Sequence, residues 1–262
     1  MFNEISSNGV LYMAAPNIGV AHAFTTRIGG VSCGEFESLN LGLSLGDERA
    51  NVIENFGLVC GALGIVTEDI VFSQQIHSAR IRVASREDRG SLYGAPAPEA
   101  DGLVTREAGV ALTVFAGDCA PILLHDPIVG AAGAVHAGWR GTTADIAGAA
   151  VRKMAGEFGC LPPNIRAAIG PCISKCCFET DRDVADALYA ILPESAGECV
   201  APRGNKYMAD LKEANRQLLI RAGVRDITIS DECTSCQSGK YWSHRRTKGK
   251  RGTQAAIIVL SY

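Results

Sequence analysis

The sequence predicts an α+β fold, an α/β-type layered sandwich in which mixed β-sheets are flanked by helices, formed by a single domain over residues 1–262. Two observations predict it. Short β-branched runs alternate with stretches of helical periodicity, but without the regular strand-then-helix spacing of a fully parallel sheet. No internal repeat, low-complexity tract or composition shift marks a linker. A chain of 262 residues with 47% hydrophobic and 20% charged side chains suits one large core.

Strands are expected at Val20–Thr25, Ile70–Ser73, Ala79–Ala84, Ala111–Phe115, Ile122–His125, Gly133–His136, Ile165–Ile169, Asp226–Ser230 and Gln254–Leu260. The last is a near-continuous apolar run, as in a central strand covered on both faces. Helices are read where apolar residues recur at i, i+3/i+4 and i+7: Val52, Ile53, Phe56, Val59 and Leu63; Ile146, Ala149, Ala150 and Met154; Val184, Ala187, Leu188 and Ile191. Gly64 and Gly159 follow the first two and Pro193 the third, as stop signals. A weaker helix from Ala209 to Arg221 turns Leu211, Leu218 and Leu219 inward and is capped at Gly223. Ala95–Pro98 reads as a rigid loop.

Net charge and hydropathy exclude whole classes of function. A formal charge of -3 argues against a nucleic-acid-binding face, which needs clustered Lys and Arg. The N-terminal segment lacks a basic region followed by an apolar run, and no stretch is long enough to span a membrane. The expectation is a cytoplasmic protein, a monomer or weak homo-oligomer, whose ten cysteines stay reduced. Isolated thiols such as Cys60 then serve as small core residues, while clustered ones are metal or catalytic candidates.

The chemistry concentrates between Ala111 and Thr143. Two apolar strands there end in polar turns, Gly117-Asp118-Cys119 and His136-Ala137-Gly138-Trp139-Arg140-Gly141, which places a thiol and an imidazole at strand ends. Gly117 and Gly138 permit close backbone approach. His77 lies at another strand boundary. One Cys and two His suit Zn²⁺ or a copper ion and leave a coordination position open. Spacing alone leaves a second reading standing, a hydrogen-bonded core histidine and a buried thiol. His125, inside an apolar strand, reads as a hydrogen-bonded strand residue and not as a ligand. Cys172-x3-Cys176-Cys177 and Cys233-Thr-Ser-Cys236 together offer the makings of a second, structural zinc site, against the default of buried or loop thiols.

The segments Phe24-Thr25-Thr26-Arg27-Ile28-Gly29-Gly30-Val31-Ser32, Ser38-Leu39-Asn40-Leu41-Gly42, Gln75-Ile76-His77, Ala100-Asp101-Gly102, Gly117-Asp118-Cys119-Ala120-Pro121, Val135–Gly141, Ile169-Gly170-Pro171-Cys172-Ile173-Ser174 and Ser243-His244-Arg245-Arg246 closely resemble the laccase-domain, or multicopper polyphenol oxidase-like, family. The resemblance runs from about residue 20 to 258. It implies one metal, usually described as zinc, at His77, Cys119 and His136, and a fold related to bacterial toxin-like cysteine hydrolases. It also implies either polyphenol oxidation or phosphorolysis or deamination of purine nucleosides.

Five histidines, none in a His-x-His pair, are too few for a multicopper relay, although Cu²⁺ remains an alternative occupant of the triad. Nucleoside chemistry fits better. Phosphorolysis needs a site for inorganic phosphate, and Arg27 and Gly29, assisted by Asn40, together with Arg140 at a helix start, are the expected anion contacts. Arg245 or Arg246, in the basic run His244–Arg251, is expected to border the pocket. Deamination needs a proton shuttle. No Glu lies two residues after either metal-binding His, so Asp118 is the candidate base, with a turn-capping carboxylate as its bland role. The expectation is a zinc-dependent purine nucleoside phosphorylase with adenosine deaminase capacity. A copper polyphenol oxidase and a non-catalytic metal-binding module stand as alternatives.

Overall fold

A computed structural model describes residues 1–94 and 98–261; the loop expected at Ala95–Pro98 falls outside the described residues except for Pro98. Two six-stranded mixed sheets form its centre. The first runs in the order β1 (Asn3–Ser7), β2 (Val10–Ala14), β3 (Ala21–Thr25), β15 (Gln254–Val259), β7 (Ala111–Ala116) and β4 (Ile70–Val71). The second runs β14 (Asp226–Ile229), β10 (Arg166–Ile169), β8 (Ala120–Asp126), β9 (Ala131–Ala137), β6 (Gly102–Thr105) and β5 (Ile81–Val83). A small third sheet joins β11 (Glu179–Thr180), β13 (Lys206–Ala209) and β12 (Val200–Arg203). The helices are α1 (Arg49–Leu63), α2 (Trp139–Thr143), α3 (Ile146–Phe158), α4 (Arg182–Ile191), α5 (Ala196–Cys199), α6 (Leu211–Arg221) and α7 (His244–Thr247).

The period of two along each strand sorts side chains into layers. Ala256 and Ile258 of β15 join Leu112 and Val114 of β7, Leu123 of β8 and Ala132 and Ala134 of β9 in a core between the two sheets. Their neighbours Ala255, Ile257 and Val259 face the other way, against Val52, Phe56 and Val59 of α1. On the outer face of the second sheet, Ile122, Leu124 and Val135 meet Ile146, Ala150, Val151 and Met154 of α3 and Leu218 of α6. The layers are therefore helix, sheet, sheet, helix. The apolar run at Gln254–Leu260 is accounted for, because β15 is covered on both faces.

Each of the nine expected strands overlaps a strand of the structure, and the four expected helices are α1, α3, α4 and α6. Leu211, Leu218 and Leu219 are buried, and Asp210 caps α6 by accepting from the amides of Lys212 and Glu213. The hairpin β1–β2 was not expected. Its signal is Asn8-Gly9, whose positive φ angles of 51° and 78° make the two-residue turn that such hairpins favour. The short strands β6, β11, β12 and β13 were also unforeseen. His125 is a buried residue of β8 as expected, set in the ladder opposite Arg166 of β10 and Ala132 of β9, and its Nδ1 has no hydrogen-bond partner among the described residues. No helix among the described residues is long and apolar enough to cross a membrane.

Candidate metal centre

The chain passes from one central sheet to the other between β7 and β8, through Gly117-Asp118-Cys119. That crossing sets Cys119 at the junction of the sheets. His77 approaches from the loop after β4, at the edge of the first sheet, and His136 sits near the end of β9 in the second. One donor atom from each of the three lies within 4.8 Å of the others, and the two imidazoles meet edge to face with centroids 4.9 Å apart. Burial falls from His136 through Cys119 to His77, so the set opens on one side.

Close approach explains the glycine in the turn after β9. A Cβ on Gly138 would stand 3.0 Å from the Cys119 sulfur and 3.1 Å from the His77 ring. At Gly117 it would stand 2.3 Å from the guanidinium carbon of Arg251. Asp118 adopts φ 102° and His77 φ 59°, conformations that non-glycine residues rarely take and that concentrate at functional sites.

Asp101 organises both imidazoles, a role not foreseen although its Ala-Asp-Gly segment carries part of the family resemblance. Its carboxylate is fully buried. It accepts from the amides of Ile76 (3.2 Å), His77 (2.9 Å) and Ser78 (2.7 Å) and from the Ser78 hydroxyl (2.7 Å). It also accepts from Nδ1 of His136 at 3.0 Å. An ionised carboxylate cannot donate, so Nδ1 carries the hydrogen and Nε2 is the atom left for coordination. Burial pushes the Asp101 carboxyl up, but the His136 and Ser78 hydrogen bonds outweigh it and hold the group well below the usual carboxylate range.

Burial likewise raises the Cys119 thiol. The adjacent His136 charge and hydrogen bonds from both histidines more than reverse this, and the thiol is lowered to about 6. Burial would lower His136, yet Cys119 and Asp101 raise it to about 9. Cys119 is thus held near neutral pH as the thiolate that metal coordination requires.

The donor set faces a cavity of about 330 Å³ walled by Trp139, Ile173, Phe178, Leu211, His244, Arg245 and Arg251. A larger cavity of about 510 Å³, lined by Leu41, Leu45, Phe72, Gln75 and Phe115 among others, contains none of the three donors. Asp118 borders the smaller cavity, but its carboxylate accepts from the Thr234 hydroxyl (2.6 Å), the Ser243 hydroxyl (3.1 Å) and the Arg245 amide (2.6 Å). It clasps the start of α7 to the wall, the bland role anticipated for it, and has little capacity left for a reacting proton. Arg245 reaches the cavity as expected, with its guanidinium donating to the carbonyls of Cys177 and Glu179.

Four expected anion contacts lie elsewhere. Arg27 stacks on Trp242 at 3.9 Å and donates to the carbonyls of Glu37 and Ser238, so its fork is committed to the backbone. Gly29 packs on the backbone of Gly9. Asn40 is buried and holds Asp47, Gly42 and Thr253. Arg140 is exposed and lies over Trp139 at 4.3 Å, outside the wall. The basic residue that turns inward is Arg251. It donates to the Gly252 carbonyl and the Thr253 hydroxyl, leaves a buried Nε without a partner among the described residues, and has burial as the main cause of its lowered pKa.

Fold and donor set define a layered α+β protein in which one Cys and two His side chains are spaced to hold a cation beside a cavity. The chain belongs to the family described as multi-copper polyphenol oxidoreductase laccase, whose profile matches residues 21–261. It is 40% identical over 251 residues to the purine nucleoside phosphorylase YlmD of Geobacillus stearothermophilus, an alignment covering 94% of this chain and 92% of that one. It is 38% identical over 259 residues to a purine nucleoside phosphorylase of Deinococcus radiodurans, covering 98% and 95%. The crystal structure of Bacillus licheniformis YfiH, a hypothetical protein, superposes with a TM-score of 0.93 at 35% identity, covering 99% of each chain.

Proposed function

We propose that this chain is a purine nucleoside phosphorylase whose reaction takes place in the cavity beside His77, Cys119 and His136. The observation that carries the reading is Arg251, a half-buried guanidinium on the wall of that cavity, with a buried Nε unpartnered among the described residues. A guanidinium so placed favours a compact oxyanion such as inorganic phosphate. The names of the relatives from G. stearothermophilus and D. radiodurans agree with it.

Trp139, Phe178, Ile173 and Leu211 offer apolar and aromatic surface to a nucleoside. Arg251 holds phosphate with one oxygen toward the anomeric carbon. A carbon–oxygen bond forms there as the glycosidic carbon–nitrogen bond breaks, and its electron pair leaves with the purine. The His244 imidazole, on the same wall, is placed to pass a proton to the departing base. The three donors fit a divalent cation, with Zn²⁺ preferred and Cu²⁺ the alternative, because Cys119 is held as a thiolate and Asp101 on Nδ1 leaves Nε2 of His136 to coordinate once it releases its proton. Such a cation supplies Lewis acidity and positive charge against the negative charge that develops as the bond breaks.

Phosphorolysis takes precedence over adenosine deamination because no described residue on the wall is a glutamate and Asp118 is saturated with donors. It takes precedence over phenol oxidation because one Cys and two His serve a single cation. The test is to incubate metal-analysed protein with inosine and with adenosine, with and without phosphate, and to measure free base and ammonia. Phosphate-dependent release of base, lost in Cys119→Ser, is expected. Ammonia or base release indifferent to phosphate would overturn the proposal.

A further inference from the structure

The loops after the adjacent parallel strands β10 and β14 run side by side, paired through the backbone in a single parallel β-bridge at Cys172 and Cys233. They bring together Cys176 and Cys177 from one and Cys233 and Cys236 from the other, with all four sulfurs within 4.8 Å of one another. Cys176 and Cys177 are separated by 3.8 Å, Cys176 and Cys236 by 3.6 Å, and Cys177 and Cys236 by 3.4 Å. With zinc–sulfur bonds of about 2.3 Å, the edge of a regular tetrahedron of sulfurs is about 3.8 Å. A disulfide needs sulfurs about 2.05 Å apart, and all ten cysteines are free. The spacing matches four thiolates around one ion.

Two further features favour that ion. The Ser174 amide points at the Cys233 sulfur at 3.4 Å, joined by amides of the 233–236 turn, as a charged sulfur requires. Lys212 is buried and ties the loops together, donating to the Ser174 hydroxyl at 2.9 Å and the Glu232 carbonyl at 2.7 Å. Four thiolates around a divalent cation carry two net negative charges, and a lysine held between their loops offsets part of that.

We infer that Cys176, Cys177, Cys233 and Cys236 form a second metal site, a closed four-thiolate centre for structural Zn²⁺, distinct from the open site at His77, Cys119 and His136. Cys172 stands outside the set; its thiol is buried and directed to the Ile173 carbonyl at 3.4 Å. With four protein ligands the ion has no position for substrate and acts as a staple. What it staples is the cavity wall. Ile173 donates its amide to the Asp118 carbonyl, Thr234 donates to the Asp118 carboxylate, and the Cys177 carbonyl receives Arg245.

The test reads metal content, so it stands or falls separately from the proposed phosphorolysis. Full-length protein is purified under reducing conditions without added metal, and zinc per chain is measured by mass spectrometry. The wild type should hold two equivalents, His77→Ala/Cys119→Ser one, and Cys176→Ser/Cys236→Ser one. Cys236→His should restore the second, since three Cys and one His also make a structural zinc set. Cobalt bound to His77→Ala/Cys119→Ser should give the intense thiolate charge-transfer absorption of a four-sulfur site, lost on adding Cys233→Ser. Zinc content unchanged by Cys176→Ser/Cys236→Ser would overturn the inference, as would a Cys177–Cys236 disulfide in wild-type protein holding one equivalent.

Discussion

Replacing Asp101 by Asn keeps the size of the side chain and removes the acceptor on which two imidazoles depend. The carboxylate takes five hydrogen bonds, two on Oδ1 from the His77 amide and His136 Nδ1, and three on Oδ2 from Ile76 and Ser78. An Asn amide has one oxygen, so whichever way it turns, its NH₂ group faces at least two donors. Hydrogen bonds to a charged group contribute roughly 1.5–3 kcal/mol each, so the variant should lose about 3–6 kcal/mol of folding stability before relaxation. Freeing the His136 ring should weaken Zn²⁺ binding about 10- to 100-fold.

Denaturant unfolding of metal-free protein measures the first effect, and competition with a chromogenic chelator the second. The pH dependence supplies a sign check. Because the folded-state pKa of Asp101 is depressed, its contribution is complete above the ordinary aspartate value, about 3.9, and fades as pH falls through the folded value. The stability gap between wild type and Asp101→Asn should therefore be full from about pH 5 to 6, close in stronger acid, and narrow above about pH 6.5, because Asp101 also helps to raise His136 to about 9. A loss under about 1 kcal/mol together with unchanged zinc affinity would refute the account of Asp101 as organiser of the site.

Four other predictions address the wall, the Arg27 stack, the thiol and a cap. Arg251→Met should raise the KM for phosphate about 10- to 100-fold, the equivalent of one charge-assisted contact, in steady-state kinetics. Arg27→Met, which unlocks Glu37 and Ser238 from Trp242, should lower the melting temperature and leave that KM unchanged. In metal-stripped protein, alkylation of Cys119 by iodoacetamide should persist down to about pH 6, while the buried thiols of Cys60, Cys160, Cys172 and Cys199, each raised to about 12, stay inert; peptide mapping reads both. Asp210→Ala removes the cap of α6 and should cost about 1 kcal/mol, seen as a fall of about 2–4 °C by calorimetry.

Periodicity made the frame of the fold legible because the central strands are buried on both faces or alternate cleanly, and neither pattern depends on partners. It failed where elements were short or polar. The strand at Glu179–Thr180 has two residues, and the N-terminal hairpin carries exposed Asn3 and Glu4, so its Asn8-Gly9 turn was the one readable sign. The metal donors are 42 and 17 positions apart, and no local rule joins such distances; the motifs around them did. Within the basic run from His244 to Arg251 the sequence does not say which side chain turns inward. That is decided by the bare backbone of Gly117, against which the Arg251 guanidinium lies. Asp101 stayed obscure for a similar reason, since its five donors belong to two separate segments, residues 76–78 and His136.

The three donors are divided between two sheets whose facing surfaces are held by non-directional apolar contact. Such contact resists separation more than sliding, and a shift of one layer along the other by a fraction of a strand spacing would pull the imidazoles apart. A coordinated cation would oppose that shear as a rivet does between plates. Affinity and rigidity then become a single property, and chelation should loosen hydrogen exchange along both β7 and β9, well beyond the residues that touch the ion.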